Sequence, residues 1–182
     1  MILGITGTNG AGKGTVVEFF KAHGFAHFSN SGLIIEEIER RGLPVNRDNT
    51  RLVANDLRKK FGPAYLVEEN YARASAAGGD AVIEALRVVG EALFLKEHGV
   101  PIIAVDADRK LRYERVVGRA GALDQVSFEH FCTQEDREMN GTEPWDMNIA
   151  EVVRMADYTI TNNGTKEELL VQAEAALGRL KK

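Results

Sequence analysis

The stretch Gly7-Thr8-Asn9-Gly10-Ala11-Gly12-Lys13-Gly14-Thr15 decides the fold of this chain. It follows a short apolar run at residues 2–5 and leads into residues 16–20, whose pattern predicts a helix. In this order of strand, glycine loop and helix, backbone N–H groups and the helix N-terminus face one anion, and Lys13 reaches its terminal phosphates. The stretch therefore predicts a nucleoside triphosphate site formed by Asn9, Gly10, Ala11, Gly12, Lys13, Gly14 and Thr15.

The composition narrows the classes of protein to consider. With 182 residues, of which 44% are hydrophobic, the chain is long enough for one domain with its own core. A net charge of −4 argues against a large nucleic-acid-binding surface. The single Cys132 cannot form an internal disulfide, and neither a leader nor a membrane-spanning apolar run is visible. We expect a cytoplasmic monomer or small homo-oligomer whose partners are small molecules, with neither nucleic acid nor membrane among them.

Apolar runs with strand character alternate with amphipathic helical segments along the whole chain. This order predicts a mostly parallel sheet with helices on both faces, a three-layer α/β/α fold whose ligand lies at the carboxyl ends of the strands. The predicted strands cover residues 2–6, 25–28, 80–86, 102–105 and 158–161. The predicted helices cover residues 13–23, 33–41, 48–61, 64–77, 88–98, 108–117, 127–139, 148–155 and 165–180.

The end of the glycine loop, Lys13-Gly14-Thr15, resembles the Gly-Lys-Gly-Thr ending of adenylate kinases and other nucleoside monophosphate kinases. The resemblance implies a single P-loop NTPase domain with a five-stranded parallel sheet. It also implies that Mg²⁺ accompanies ATP and is held mainly by phosphates and water, with Thr15 and Glu84 as protein ligands. In this organisation the core comprises residues 1–31, 78–118 and 140–182, a helical acceptor-binding insert spans 32–77, and a short lid spans 119–139.

The segment Ile83-Glu84-Ala85-Leu86-Arg87 resembles the Asp-Gly-Phe-Pro-Arg stretch of the monophosphate kinases. By this resemblance Arg87 grips the acceptor phosphate, Glu84 orients magnesium-bound water, and Glu91 reads the acceptor base. A carboxylate only accepts hydrogen bonds, so Glu91 would favour a base edge that offers N–H groups. A solvated arginine at a helix start and an exposed helical glutamate are the alternatives for Arg87 and Glu91.

The segment Tyr113-Glu114-Arg115-Val116-Val117-Gly118-Arg119 resembles the approach to the adenylate kinase lid. The resemblance implies that Arg115 stacks on the ATP adenine and that Arg119 contacts its phosphates. Arg137 lies where a further lid arginine is expected, although a surface ion pair with a neighbouring glutamate is an equal alternative. Together these comparisons predict the catalytic set Lys13, Arg87, Arg119 and Arg137.

Two other stretches bear on the substrate. Residues 155–169 resemble the closing segment of dephospho-CoA kinases and of archaeal nucleotide kinases, which implies that Asn163 and Gly164 lie beside the adenine. Conversely, Glu36 stands where adenylate kinases carry an arginine for the acceptor phosphate. Arg51 and Arg58, which share a predicted helix face, are the candidates to replace it, and Arg47 is a further alternative.

These observations lead to one main hypothesis and two alternatives. The main hypothesis is an enzyme that transfers the γ-phosphate of ATP to the phosphate of a nucleoside or deoxynucleoside monophosphate. The first alternative is a dephospho-CoA kinase, whose acceptor is a ribose hydroxyl. The second, from another class, is a regulatory P-loop ATPase.

Overall fold

The fold is built on a five-stranded, fully parallel sheet with strand order β2-β3-β1-β4-β5. The computed structural model describes residues 1–119 and 127–181, apart from the side chains of Arg47 and Arg119. The strands are β1 (Ile2–Gly7), β2 (Ala26–Ser29), β3 (Ala81–Leu86), β4 (Ile102–Asp106) and β5 (Tyr158–Thr161). The predicted sheet is confirmed.

Helices cover both faces of this sheet and leave little of its surface to solvent. Their bounds are α1 (Lys13–Ala22), α2 (Asn30–Arg40), α3 (Arg47–Phe61), α4 (Tyr65–Ala77), α5 (Val89–Glu97), α6 (Arg109–Arg119), α7 (Phe128–Met139), α8 (Ile149–Arg154) and α9 (Lys166–Leu180). One buried cluster joins α1 and α9 to the sheet, and another joins α4, α5 and α8 to its opposite face. The α/β class with three layers is therefore confirmed.

The helices α2, α3 and α4 share a smaller buried cluster of their own. Its members include Ile34 and Ile38 from α2 and Val53 and Leu57 from α3, all at most 7% exposed. The apolar positions recur three to five residues apart on each helix, which is the spacing of one buried helix face. This cluster lies between residues 32 and 77, where the sequence predicts a helical insert.

Local side-chain caps explain most of the helix boundaries. Ser127 and Thr165 accept hydrogen bonds from backbone N–H groups three residues ahead, as their positions before apolar runs predict. The predicted helix over residues 48–61 has Asp48 in the capping position, but this is wrong: the Asn46 side chain accepts from the N–H of Asn49 and α3 begins at Arg47. Likewise Ser29 caps α2, which begins three residues earlier than predicted.

Because every strand runs in the same direction, the carboxyl ends of all five strands lie at one edge of the sheet. Gly7 ends β1 at this edge with φ of 139°, and a Cβ there would lie 2.0 Å from the carbonyl oxygen of Val105 in β4. Only glycine allows this approach, which starts the loop at residues 7–15 directly above the sheet. Within the described part of the chain, no helix combines the length and apolar character of a membrane span.

Candidate functional site

The glycine loop curls around an open space above β1. Gly10 and Gly12 have φ of 79° and 102°, so the chain bends without the strain that a side chain would add. Lys13 begins α1 and folds back over the loop, where its Nζ donates to the carbonyl oxygens of Gly7 at 2.9 Å and Thr8 at 2.7 Å. The amine therefore sits above the loop with two neutral partners that a phosphate can replace.

The surroundings of Lys13 disfavour the charged, protonated form of its amine. Burial removes water from the charged form, and Arg87 adds a second positive charge nearby, so the pKa of Lys13 is lowered to about 8. Glu84 and Glu138 oppose this effect, but more weakly than burial and Arg87 act. A polyphosphate would reverse the balance, because its negative charge favours the protonated amine.

The side chain of the residue directly after β5 supports the glycine loop from below. Asn162, which follows β5, donates through Nδ2 to the carbonyl oxygen of Ala11 at 2.8 Å. Its own N–H donates to the carbonyl oxygen of Asp106 at 2.7 Å, and the Asp106 carboxylate accepts from the Thr8 hydroxyl at 2.6 Å. Asn162 was not among the predicted site residues, although its position directly after a strand at the sheet edge is a usable signal.

A cavity of about 250 Å³, here called the donor cavity, opens beside Lys13. It brings Lys13 of α1 together with Glu84 and Arg87 at the end of β3, three of the residues that the sequence predicts for the site. Its lining comprises Asn9, Gly10, Gly12, Lys13, Gly14, Ser31, Glu84, Ala85 and Arg87.

Glu84 is fixed on the wall of this donor cavity by two residues of the neighbouring strand. Its Oε1 accepts from the Ser29 hydroxyl at 3.0 Å and lies 3.4 Å from Nε2 of His27. The carboxylate is 21% exposed, so it faces both protein and solvent. Glu84 and the Thr15 hydroxyl are hard oxygen groups of the kind that Mg²⁺ and its bound waters prefer, so the donor set fits that ion. The described residues contain no cluster of three or more His, Cys, Asp and Glu that would hold a metal alone.

A second and larger cavity of about 580 Å³, here called the acceptor cavity, lies next to the first. Four arginines face it: Arg51 and Arg58 from α3, Arg87 after β3, and Arg137 from α7. The full lining is Asn9, Ser31, Ile34, Asp48, Thr50, Arg51, Ala54, Asn55, Arg58, Ala85, Arg87, Gln134, Arg137, Glu138, Gly141, Asp146 and Met147. Asn9, Ser31, Ala85 and Arg87 line both cavities, so the two form one continuous site.

The strand end between the two cavities is distorted. Ala85 has φ of 66°, the only positive value at a non-glycine residue in the described chain. The pairing of β1 with β3 slips at the same level, between Ile5 and Thr6. A left-handed alanine costs free energy, and such strain is retained where the surrounding structure holds a functional geometry in place. The distortion lies directly between Glu84 and Arg87, which face the site.

Other predicted site residues lie elsewhere. The predicted residues that line neither cavity are Ala11, Thr15, Glu91, Arg115, Asn163 and Gly164, and Thr15 lies in the first turn of α1. Nη1 of Arg115 is buried without a protein partner among the described residues, whereas the Asn163 side chain accepts from the N–H of Asp108. The side chain of Arg119 and residues 120–126 of the predicted lid lie outside the described residues.

A buried ion pair that the sequence analysis missed connects the glycine loop to α7. Arg112 of α6 and Glu135 of α7 are each 6% exposed, and the two terminal nitrogens of the guanidinium group, Nη1 and Nη2, donate to the two carboxylate oxygens. Arg112 also donates to the carbonyl oxygens of Asn9 and Ala107. The position of α7, which carries Arg137, is thereby tied to the loop that starts the site. Spacing could not reveal this pair, because its members are 23 residues apart on different helices.

Comparison with known proteins agrees with this architecture. A family model described as an AAA domain matches residues 6–129, more than half of the chain. The shikimate kinase of Bacteroides thetaiotaomicron superimposes with a TM-score of 0.60 at 13% identity, covering 100% of this chain and 99% of that one. The dephospho-CoA kinase of Campylobacter jejuni gives 0.55 at 14%, covering 98% and 96%. At these identities the likeness establishes the fold alone, which is that of P-loop kinases.

A closer relationship appears among archaeal proteins. The UPF0200 protein of Thermococcus kodakarensis is 30% identical over 175 residues, which cover 92% of this chain and 91% of that protein. The chain is a P-loop protein of the AAA domain class and belongs to the UPF0200 family.

Proposed function

We propose that this protein is an ATP-dependent kinase that transfers the γ-phosphate of ATP to the phosphate of a nucleoside or deoxynucleoside monophosphate. The observation that carries the proposal is the convergence of Arg51, Arg58, Arg87 and Arg137 on the acceptor cavity, which joins the donor cavity at Arg87. Four guanidinium groups around one cavity suit an acceptor that is itself a phosphate, because arginine binds phosphate oxygens in pairs. A sugar or an amine would need no such set.

The roles of the residues follow from their positions in the two cavities. An oxygen of the acceptor phosphate attacks the γ-phosphorus, the bond to the β–γ bridging oxygen breaks, and ADP leaves with the electron pair. Lys13 exchanges its two carbonyl partners for phosphate oxygens and follows the transferred group. Arg87, which lines both cavities, spans donor and acceptor and compensates the charge between them.

Mg²⁺ enters this scheme together with ATP. When bound it neutralises part of the charge on the β- and γ-phosphates and so favours attack by an anionic acceptor. Thr15 and Glu84 would hold it or its waters. The remaining work is positioning, which the chain's own arginines and backbone N–H groups provide.

Two movable parts would enclose the reactants. The insert at residues 32–77 carries Arg51 and Arg58, and the lid at residues 119–139 carries Arg137, so both contribute arginines to the acceptor cavity. Closing them over the substrates would exclude water and prevent hydrolysis of ATP. Arg115, Asn163 and Gly164 are proposed to contact the ATP adenine, and Arg119 its phosphates, as the resemblance to the monophosphate and dephospho-CoA kinases implies.

The proposal is tested by measuring ADP release with ATP and Mg²⁺ across AMP, CMP, GMP, UMP, the four deoxynucleoside monophosphates and dephospho-CoA. We expect one or two monophosphates to stimulate release strongly and Lys13→Met to abolish it. Lys21→Met is the matched control, since Lys21 lies on the same helix but is exposed and paired with Glu18. Release that is unaffected by every acceptor would contradict the proposal and favour a regulatory ATPase.

Dephospho-CoA kinase is the second candidate, and the setting of Glu84 favours it. A carboxylate held by Ser29 and His27 beside Lys13 is suited to remove a proton from an attacking hydroxyl. A phosphate acceptor needs no such base. With a hydroxyl acceptor, Glu84→Gln should lower kcat by about 10²-fold or more. Stimulation by dephospho-CoA alone, together with that loss, would replace the main proposal.

A further inference from the structure

Glu91 and Arg58 form an ion pair that is sealed from solvent. Their side chains are 0% and 1% exposed, and Oε1 of Glu91 accepts from Nη2 of Arg58 at 2.9 Å and from its Nε at 3.3 Å. A buried ion pair contributes little net stability, because both charges lose their hydration. Because Arg58 of this pair also lines the acceptor cavity, the pair is placed to act on a ligand there as well as within the fold.

The other oxygen of Glu91 holds the start of α5. Oε2 accepts from the backbone N–H of Arg87 at 2.7 Å and from that of Val88 at 3.2 Å. One carboxylate thus joins α3 of the insert to the turn that carries Arg87. With two donors on each oxygen, the carboxylate has no capacity left for a base edge.

Arg58 is only partly satisfied by this arrangement. Its Nη1 is buried and has no hydrogen-bond partner among the described residues, although the side chain lines the acceptor cavity. An unpaired buried N–H is costly unless something else accepts its hydrogen bond. In a cavity that also presents Arg51 and Arg87, the fitting acceptor is an anionic oxygen.

We infer that Glu91 is a positioning residue that holds Arg58 and the Arg87 turn together as a preassembled subsite for the acceptor phosphate. This inference rests on the proposed function for the identity of the anion, and it replaces the expectation that Glu91 reads the base. Fixing two arginines before the ligand arrives lowers the entropy lost on binding.

The decisive variant is Glu91→Gln. The amide keeps the size of the side chain but turns one acceptor oxygen into a donor. That NH₂ group must face either Arg58 or the two backbone N–H groups, so one half of the bridge is lost in either orientation. Arg58→Lys is the second variant, since it keeps the charge and leaves Glu91 intact but removes the guanidinium fork.

The matched control is Leu95→Val, on the same helix as Glu91. Leu95 is 0% exposed and packs in the core beneath the sheet, and it lines neither cavity. This change destabilises the helix without touching the subsite. Thermal unfolding of all variants identifies any that fail to fold.

The experiment measures binding of inorganic phosphate to the full chain by calorimetry while the donor cavity is filled with Mg²⁺ and a non-hydrolysable ATP analogue. The wild type should bind one phosphate, and Glu91→Gln and Arg58→Lys should each weaken this binding about tenfold or more. Leu95→Val should stay within about twofold of the wild type, even if its melting temperature falls further. Affinity for the ATP analogue should not change in any variant.

Two results would overturn the inference: no phosphate site in the wild type with the analogue bound, or wild-type phosphate affinity in folded Glu91→Gln. The outcome is separable from that of the proposed function, because phosphate binding needs no acceptor turnover. If an acceptor is found, Glu91→Gln should raise its KM with little change in the KM of ATP. If none is found but phosphate binds as expected, the kinase assignment fails and the subsite remains.

Discussion

Binding of ATP to Lys13 should draw a proton from solution at mildly alkaline pH. In the ligand-free protein, burial and the nearby Arg87 lower the pKa of Lys13 to about 8. The polyphosphate of ATP stabilises the ammonium form and returns its pKa toward the ordinary value of 10.5. A group whose pKa rises on binding takes up protons in the window between the two values.

The size of the effect follows from the free pKa. With a pKa of about 8, Lys13 is roughly three quarters neutral at pH 8.5 and roughly one tenth neutral at pH 7. ATP binding should therefore take up about 0.7 proton at pH 8.5 and about 0.1 at pH 7. Over the same range, the Kd for ATP should begin to rise with pH and approach about a tenfold increase per unit above pH 8.

The lowered pKa also affects folding. Because the folded-state value lies below that of the unfolded chain, the charged amine opposes folding fully below pH 8. This contribution to the free energy of unfolding disappears as the pH rises toward 10.5. Lys13→Met should therefore be relatively more stable than the wild type near pH 7, and this advantage should shrink above pH 8.

The assay is calorimetric titration of ATP and Mg²⁺ at pH 8.5 in buffers of different ionisation enthalpy. The slope of observed enthalpy against buffer enthalpy counts the protons taken up. Lys13→Met should abolish the slope, and the exposed Lys21→Met should retain it. A wild-type slope near zero, or a slope unchanged in Lys13→Met, would refute the assignment of the perturbed amine to the phosphate site.

Three further changes test the framework of the site. Gly7→Ala should lower the free energy of unfolding by about 3 kcal/mol or more, measured by urea unfolding, because the new methyl group would meet a carbonyl of β4. Asn162→Ala removes the side-chain donor beneath the glycine loop, so the free energy of unfolding should fall by about 1–3 kcal/mol and the KM of ATP should rise. The control for stability is Asn163→Ala at the neighbouring exposed position, which should change the free energy of unfolding by no more than about 0.5 kcal/mol. Glu135→Gln removes the nearer of the two carboxylates that pair with buried Arg112 and leaves only Asp106, 3.8 Å from its Nε, so it should cost about 3 kcal/mol on thermal unfolding. An unfolding midpoint equal to that of the wild type would refute the corresponding contact in each case.

The sequence predicted the fold well because its signals are local. β1, β3 and β4 are short, mostly apolar runs with a glycine within three residues of one end, and residues 158–161 were predicted with the bounds that β5 has. Thr165 and Glu168 form a capping box within one helix turn, so spacing alone identifies it. The same spacing predicts a box at Asn148 and Glu151, but only its first half is present: the Asn148 side chain accepts from the N–H of Glu151, whereas the N–H of Asn148 donates to the carbonyl oxygen of Arg87. The start of α3 was misplaced because Asn46 and Asp48 are both good capping residues and only tertiary context selects between them.

The site was predictable where resemblance or helix spacing supplied the residues. Lys13 and Glu84 line the donor cavity, and Arg51 and Arg58 of α3 line the acceptor cavity, so the predicted residues are brought together while their roles stay predictions. The partner of Arg58 was not predictable, because Glu91 is 33 positions away on a different helix. A buried ion pair between distant helices leaves no periodic signal in the chain.

The central claim is that the acceptor is a phosphate group, and ³¹P NMR of the wild-type reaction tests it most directly. With ATP, Mg²⁺ and the acceptor that stimulates ADP release, we expect two nucleoside diphosphates to form for each ATP consumed, while the monophosphate signal of the acceptor falls in step and no inorganic phosphate accumulates. The product should not form with Lys13→Met. A new phosphate monoester, as on a ribose hydroxyl, or inorganic phosphate alone would contradict the account.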